Sequence, residues 1–363
     1  MSEQNDLLTD IIVQTATEAR DAGRLQEAEA LFRQASIYAP QDPELHHHLG
    51  GIYARLGRLE DAERSYRRTV ALAPGAMGSW RLLATLLLSQ GKYEEGFALF
   101  ESRHEVETMT KPALPFPEWQ GGPVEGKRIL IWPEQGFGDQ IQFARFAPVL
   151  KARGAEVVLL CRPALTRLFA GCLGVTVLSA EGAVEFPDPD GWIMTMSLAW
   201  RLGFTPETIP AAPYLHALDP TPPLSAGFKV GLMARGEPSY ANDANRSLPD
   251  EAARALESVA ATVVSLDPAV SGAKDFADTA AIIAGLDLVV SVDTAVAHLA
   301  GAMGKPCWIM LPSQEPDWRW LRDRADSPWY PSVRLYRQAA DEDWNEVVKR
   351  VVADVAQAAS KAA

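Results

Sequence analysis

Cysteine is scarce. Cys161, Cys172 and Cys307 are the only three in 363 residues, and no pair has a C-x-x-C spacing. An odd, scattered set excludes a disulfide framework, offers no zinc-finger spacing, and points to a reducing compartment. Basic charge is also short: 34 Lys and Arg stand against 47 Asp and Glu, a net charge of −13. Nucleic-acid binding through displaced counterions needs the opposite balance, so nucleic acid is not an expected partner. The acidic excess is spread along the chain, six charges before residue 110 and seven after it, which suits solubility better than a dedicated acidic patch. Long apolar runs are missing too. The most apolar long window, 282–303, is interrupted by Asp287, Asp293 and His298, so no membrane span is expected. The first residues, with Glu3 and Asp6, lack the basic and apolar regions of a secretory signal. These absences make the cytoplasm the expected location. With 47% apolar and 22% charged residues, the composition is that of a folded chain long enough for two or three domains.

What the chain does have is a repeat. Gly23-Arg24-Leu25, Gly57-Arg58-Leu59 and Gly91-Lys92-Tyr93 stand 34 residues apart, each followed by an acidic residue (Glu27, Asp61, Glu95) and a small one (Ala28, Ala62, Gly96). Pro40 and Pro74 keep the same interval at the close of each second helix. Small residues at Ala28, Gly50, Ala62 and Ala84 let paired helices approach, while Leu49, Tyr53, Trp80 and Leu83 fill the groove between them. A helix–turn–helix unit of this period is the signature of tetratricopeptide (TPR) repeats. Three of them over residues 1–110 predict an N-terminal helical solenoid whose concave face holds a peptide or protein. His46-His47-His48 cannot converge on a metal, because adjacent helical residues point about 100° apart; a solvated helix surface is expected there.

Residues 111–126 contain Pro112, Pro115, Pro117 and Pro123 with Gly121, Gly122 and Gly126, and read as a linker. Beyond it, strands are expected at 128–132, 156–160, 175–178 and 192–195, with a helix at 140–153. A second Pro-rich stretch, 209–223, precedes strands at 229–233, 262–266, 288–292 and 307–311 and a closing helix near 344–359. Strand–helix alternation predicts parallel sheets covered on both faces. The expected class is therefore α followed by α/β, with one Rossmann-like unit over 127–222 and another over 223–363. A cleft between the carboxyl ends of their strands is the expected ligand site.

Three loci carry candidate chemistry. Glu134-Gln135-Gly136-Phe137-Gly138-Asp139 follows the first strand. Its glycines allow a tight turn and the approach of a ligand to backbone, although the third glycine of a dinucleotide fingerprint is missing. Asp139, where the next helix begins, is either an N-cap or a general base facing the cleft. Ser291-Val292-Asp293-Thr294-Ala295-Val296-Ala297-His298 joins a buried strand to a helix start, where free N–H groups attract phosphate. His298 stands one turn after Thr294, so the two can face one ligand; a buried structural histidine is the other reading. Asn242-Asp243-Ala244-Asn245-Arg246-Ser247 is a polar loop whose guanidinium suits phosphate, and turn chemistry alone would also explain it. Further on, Trp318, Trp320 and Trp329 alternate with Arg319, Arg322 and Arg324. That segment is expected at the cleft rim, with at most one arginine reaching a phosphate; a purely structural aromatic cluster is the other reading.

Gly-x-Gly-Asp after the first strand, Arg246-Ser247 in the second unit, the Ser291–Ala302 string, Trp318-Arg319-Trp320 and Ser327-Pro328-Trp329-Tyr330-Pro331 together resemble glycosyltransferase family nine. That family includes the ADP-heptose:lipopolysaccharide heptosyltransferases, and the likeness is greatest to its bacterial members fused to TPR repeats, over essentially the whole chain. The resemblance implies a GT-B pair of Rossmann-like domains and transfer from a nucleotide-sugar donor, inverting, metal-independent and without a cofactor. It implies Asp139 as catalytic base, and Arg246, Ser247, Asp293, Thr294, Ala295 and His298 as donor-binding residues. Gln135, Gly136, Gly138, Gln142, Asn245 and Arg319 would line the cleft. Ala295 replaces a family glycine and Arg246 stands near its phosphate-binding lysine, so heptose itself is not supported as the sugar. The implied acceptor is a protein held by the repeats, flagellin-like proteins included. Two other functions stay open: a TPR adaptor whose transferase fold no longer turns over, and a sugar transferase for lipid or surface polysaccharide.

Overall fold

The 34-residue interval becomes one turn geometry used three times. In the computed structural model, which describes residues 2–105, 111–219, 227–340 and 342–362 (of residues 2–6 the backbone alone), Gly23, Gly57 and Gly91 have φ of +76°, +74° and +76°. That is the left-handed region where a side chain is strained. The residue after each glycine donates its N–H to a carbonyl five residues back: Arg24 to Ala19, Arg58 to Tyr53 and Lys92 to Leu87, at 2.9, 2.9 and 3.0 Å. This Schellman closure ends α1 (Ser2–Asp21), α3 (Pro43–Arg55) and α5 (Met77–Ser89). The chain then turns back into α2 (Leu25–Tyr38), α4 (Leu59–Leu72) and α6 (Tyr93–Phe100).

The three hairpins share a core that includes Phe32, Leu45, Ile52, Leu83 and Leu87. Gly50 is small for a stated reason: a Cβ there would lie 2.6 Å from the Tyr66 ring. Glu29–Arg58 at 2.8 Å and Glu63–Lys92 at 2.7 Å are one ion pair repeated a period apart, and at the surface each adds little stability. The three histidines are half-buried rather than solvated. His46 meets the Pro40 carbonyl, His47 the Ser79 hydroxyl and His48 the Arg20 guanidinium. They diverge, as helical geometry requires, but neighbouring repeats cover them.

The chain divides into Met1–Lys111 and Pro112–Ala363. The second unit holds two parallel sheets. The first, ordered β3-β2-β1-β4, comprises β1 (Arg128–Trp132), β2 (Glu156–Cys161), β3 (Thr176–Ser179) and β4 (Gly191–Met194). Its helices are α7 (Phe137–Ala144), α8 (Phe146–Ala152), α9 (Pro163–Cys172) and α10 (Leu198–Leu202). The single helix expected at 140–153 is thus two, broken at Arg145, whose side chain is drawn into the site described below. The second sheet, ordered β6-β5-β7-β8-β9, comprises β5 (Lys229–Met233), β6 (Thr262–Ser265), β7 (Leu288–Val292), β8 (Cys307–Leu311) and β9 (Val333–Arg337).

Between those strands run α11 (Asp243–Arg246), α12 (Asp250–Glu257), α13 (Pro268–Ser271), α14 (Phe276–Ala284) and α15 (Ala295–Ala302), and α16 (Trp344–Ala362) closes the chain. Leu288, Val290 and Val292 pack with α12 and α16 on one face, as alternation along a doubly covered strand requires. The expectation contained no β9: its Arg334 and Arg337 break the apolar run of an edge strand. The expected boundary at 222/223 lies outside the described residues. Among those described, no helix is long and apolar enough to cross a membrane.

The turn geometry makes a sharp prediction. Gly57→Ala puts a Cβ on a left-handed residue and should destabilise the repeat unit by about 1–2 kcal/mol. Gly75→Ala meets nothing within 4 Å and has no positive φ, so it should be neutral or slightly stabilising. Chemical denaturation of the two variants measures the difference; equal effects would refute the left-handed assignment.

Candidate functional site

In an open parallel sheet, a crevice forms where consecutive connections leave in opposite directions. In the first sheet this reversal lies between β1 and β4, and in the second between β5 and β7. The loops at those strand ends are 133–136, the 195–197 turn, 234–242 and 293–294. Two of the three sequence loci follow from this topology, and the third, around Arg246, sits on the loop beside them. Within each sheet the loops are bolted together. Thr195 Oγ1 donates to the Trp132 carbonyl at 2.8 Å and Glu134 Oε1 accepts the Met196 N–H at 2.6 Å. In the second sheet Arg246 Nη1 donates to the Asp293 carbonyl at 2.7 Å, and its Nε to Asp243 Oδ1 at 2.9 Å.

Across the crevice the two sheets meet on one guanidinium. Arg319 donates from Nε to Gln142 Oε1 at 2.6 Å, from Nη1 to both Asp317 oxygens at 3.0 and 2.8 Å, and from Nη2 to Asp139 Oδ1. The Arg319 and Asp139 side chains are 7% and 17% exposed. Asp139 is the third residue of α7, not its cap: Gly136 occupies the N-cap position, and Asp139 Oδ2 accepts the Gly136 N–H at 2.8 Å. The N-cap reading therefore gives way to a third-position one: Oδ2 closes the start of α7, while Oδ1 faces Arg319. Arg145 makes a second bridge, donating to the carbonyls of Gln142, Pro210 and Trp329 at 2.8, 3.1 and 2.7 Å. Its guanidinium also lies over the rings of Tyr214, Trp329 and Tyr330. At the rim, Arg167 grips both Asp275 oxygens at 2.8 and 2.7 Å, and Phe137 meets Phe276 with ring centres 5.0 Å apart.

His298 fills the space that the Gly-x-Gly spacing predicts for a ligand. A Cβ on Gly138 would come within 2.9 Å of His298 Cδ2 and 3.7 Å of the Ala295 Cα. Gly138 thus lets α7 press against the start of α15. The imidazole stacks on Trp320 at 5.1 Å, shares a hydrogen bond of 3.0 Å between Nδ1 and the Tyr330 hydroxyl, and holds Nε2 4.0 Å from Asp293 Oδ1. Burial, then the nearby Arg319, push its pKa well below the ordinary histidine value. The imidazole is therefore neutral at physiological pH.

Burial also raises the pKa of Asp139, against the pull of Arg319. Asp293 is pushed up to about 7 by burial and then by the charge of Asp317. For Arg319, burial works against the charge, but Asp317 and Asp139 outweigh it and raise the pKa. Backbone strain gathers here as well. The non-glycine residues with positive φ among those described are Gln135 (57°), Glu315 (48°), Leu321 (54°) and Asp323 (55°). All lie on the loops after β1 and β8. Leu321, with ψ of −165°, occupies a region nearly reserved for glycine, and such strain collects at functional sites.

Of the residues expected at the site, the structure brings together Asp139, Gly136, Gly138, Gln142, Asp293, Ala295, His298 and Arg319, with Arg246 beside them. Gln135 shapes the turn through its backbone. Thr294 is the N-cap residue of α15 and its hydroxyl lies 3.0 Å from Ser291 Oγ. Two residues face elsewhere. Ser247 Oγ is occupied inside its own loop by the Gly236 N–H and Asp243 Oδ2, and Asn245 donates to Asn242 at 2.6 Å on the exposed side. Arg324 pairs with Asp326 at the surface. Sequence reasoning missed Asp317, Arg145 and Tyr214. Asp317 had a signal, since Asp-Trp-Arg two residues apart is a cap sequence, and its Oδ1 accepts the Arg319 N–H. Among the described residues, no group of three or more His, Cys, Asp or Glu could hold a metal ion.

Residues 13–76 and 53–103 match the tetratricopeptide repeat family, and residues 246–312 match glycosyltransferase family 9 (heptosyltransferase). The chain is 27% identical to Protein FlbA of Caulobacter vibrioides over 360 residues, covering 84% of this chain and 58% of FlbA. It is 31% identical to Tetratricopeptide repeat protein 7A of Homo sapiens over 94 residues, 26% of this chain and 11% of that protein. The chain thus spans little more than half of FlbA and about a tenth of the human protein. Among solved structures, the first TPR of Spaghetti bound to an HSP90 peptide aligns at a TM-score of 0.27 and 20% identity, over 28% of this chain and 79% of that one. The chain therefore carries tetratricopeptide repeats joined to a glycosyltransferase-family-9-like α/β region.

The raised Asp293 carboxyl has a consequence for stability. The folded state keeps this proton to a pH near 7, whereas the unfolded chain releases it near an ordinary carboxylate value, about 3.9. Its contribution to stability is therefore full at low pH and is lost as pH rises between those values. Asp293→Asn removes that loss. Denaturation midpoints from pH 4.5 to 8 should show the variant gaining on the wild type as pH rises; a constant difference would contradict the assignment.

Proposed function

We propose that this protein transfers a sugar from a nucleotide-sugar donor to an acceptor hydroxyl, by inversion and without a metal, and that the repeats present a protein acceptor. The observation that carries this reading is the coincidence of two things. The family-9 match runs from Arg246 through β7, α15 and β8, and the crevice at those strand ends is where Arg319 meets Asp139 of the other sheet. In this reading the acceptor hydroxyl attacks the anomeric carbon as its proton passes to Asp139. The bond from that carbon to the diphosphate oxygen breaks, and the leaving charge falls to Arg246, Arg319 and the start of α15. The burial that raises the Asp139 pKa makes its carboxylate a stronger base than an exposed aspartate. TPR repeats supply a concave face suited to a peptide, which supports a protein acceptor, with flagellin-like proteins among the candidates. One observation favours an adaptor instead: Arg319 and Arg246 already have protein partners, so donor binding must displace or share them.

Asp139→Asn separates the two. It keeps the shape but only one of the two acceptors, so stability should fall by about 1–3 kcal/mol. Transfer on a matched donor–acceptor pair should fall by roughly 10²–10⁴-fold while donor affinity persists. Arg246→Ala should weaken donor binding by about 1.5–3 kcal/mol, read by calorimetry. Undiminished transfer by Asp139→Asn would remove Asp139 from the chemistry, and failure of the wild type to bind any of a panel of nucleotide-sugars would favour the adaptor.

A further inference from the structure

Asp317 lies outside the family-9 segment and outside every motif of the sequence, yet it makes three contacts with one residue. Its Oδ1 accepts the Arg319 backbone N–H at 2.9 Å and Nη1 at 3.0 Å, and its Oδ2 accepts Nη1 at 2.8 Å. With Nε held by Gln142, the Nη2 edge of this buried guanidinium is the part presented to Asp139. The turn that carries it is fixed from behind. Leu321 ends it in a strained conformation, and Arg337 Nη2 clamps the carbonyls of Trp320 and Leu321 at 2.7 and 3.1 Å. Strain of this kind persists only where surrounding contacts hold the turn in one orientation.

We infer that Asp317 is a positioning residue for the reaction centred on Asp139: it fixes Arg319 so that one guanidinium is shared between a carboxylate of each sheet. The inference rests on the reading of Asp139 as the base. The charged groups acting on Asp139 are Arg319 and Asp317 from the turn after β8 and Glu134 from the loop after β1, while His298 of α15 packs against the neighbouring Gly138. Asp293 and the Tyr240 hydroxyl feel the charge of Asp317, and Arg246 acts on both of them. Asp317 repels a charge on Asp139 and also divides the attraction of Arg319. Without its charge, Asp139 faces an undivided guanidinium and ionises at lower pH, by about one unit for a neighbouring charge at this range.

Asp317→Asn tests this, since asparagine keeps the shape and the N-cap bond; Asp317→Ser, also a cap and uncharged, serves if the first variant folds poorly. The Asp139 carboxyl is titrated in the full chain by carbon NMR with labelled aspartate, its signal assigned by its loss in Asp139→Asn. The pH profile of transfer is measured beside it. The expected result is an Asp139 midpoint lower by about one unit, with the acid limb of transfer moving by the same amount. An unmoved midpoint would overturn the role of Asp317 alone. A midpoint that moves while the acid limb stays would overturn Asp139 as the base, and the positioning role with it.

Discussion

At the crevice of the α/β unit, one buried guanidinium, that of Arg319, is shared by a carboxylate from each sheet. Burying an arginine is expensive unless every N–H finds a partner of suitable charge and geometry. Each of the three side-chain nitrogens of Arg319 has such a partner: Gln142 and Asp139 come from α7 of the first sheet and Asp317 from the turn after β8 of the second. The arrangement explains why the surrounding backbone tolerates strain at Gln135, Glu315, Leu321 and Asp323. Relaxing any of these turns would move a partner away from a buried charge.

The same burial sets the chemistry available. Desolvation pulls Asp139 and Asp293 toward their neutral forms and His298 toward neutral imidazole, while Arg319 keeps its charge. One crevice therefore holds a fixed cation, a neutral ring and carboxyls whose protonation lies closer to physiological pH than usual. Enzymes that move protons in a water-poor site use such combinations. Packing serves this arrangement directly: Gly138 brings His298 against α7, and Arg145 ties α7 to the Trp329 carbonyl.

Legibility in the sequence followed the physics of each element. The repeats could be read because a left-handed turn demands glycine, and Gly23, Gly57 and Gly91 record that demand at a fixed interval. The central strands β1, β5, β7 and β8 stand where their apolar runs place them, whereas β9 escaped because an edge strand tolerates Arg334 and Arg337. The site was half legible. Asp139, Asp293, His298 and Arg319 lie on strand-end loops or on the helical turns that follow them, where ligands are expected. Their convergence depends on contacts up to 180 residues apart in sequence, which no local pattern encodes. Ser247 and Asn245 looked alike as polar loop residues, yet a loop can satisfy such side chains internally, and here it does. Asp317 and Arg145 went unseen because a cap and a helix arginine have ordinary local explanations.

A double-mutant cycle tests the shared guanidinium most directly. Unfolding free energies are measured for the wild type, Asp139→Asn, Arg319→Gln and the double variant. If Arg319 joins the two sheets through Asp139, the double variant should cost less than the two single costs combined, with a coupling of at least about 1 kcal/mol, as for residues in one buried network. Costs that add within about 0.5 kcal/mol would mean that the two side chains act independently, and the account of a site held between the sheets by Arg319 would be wrong.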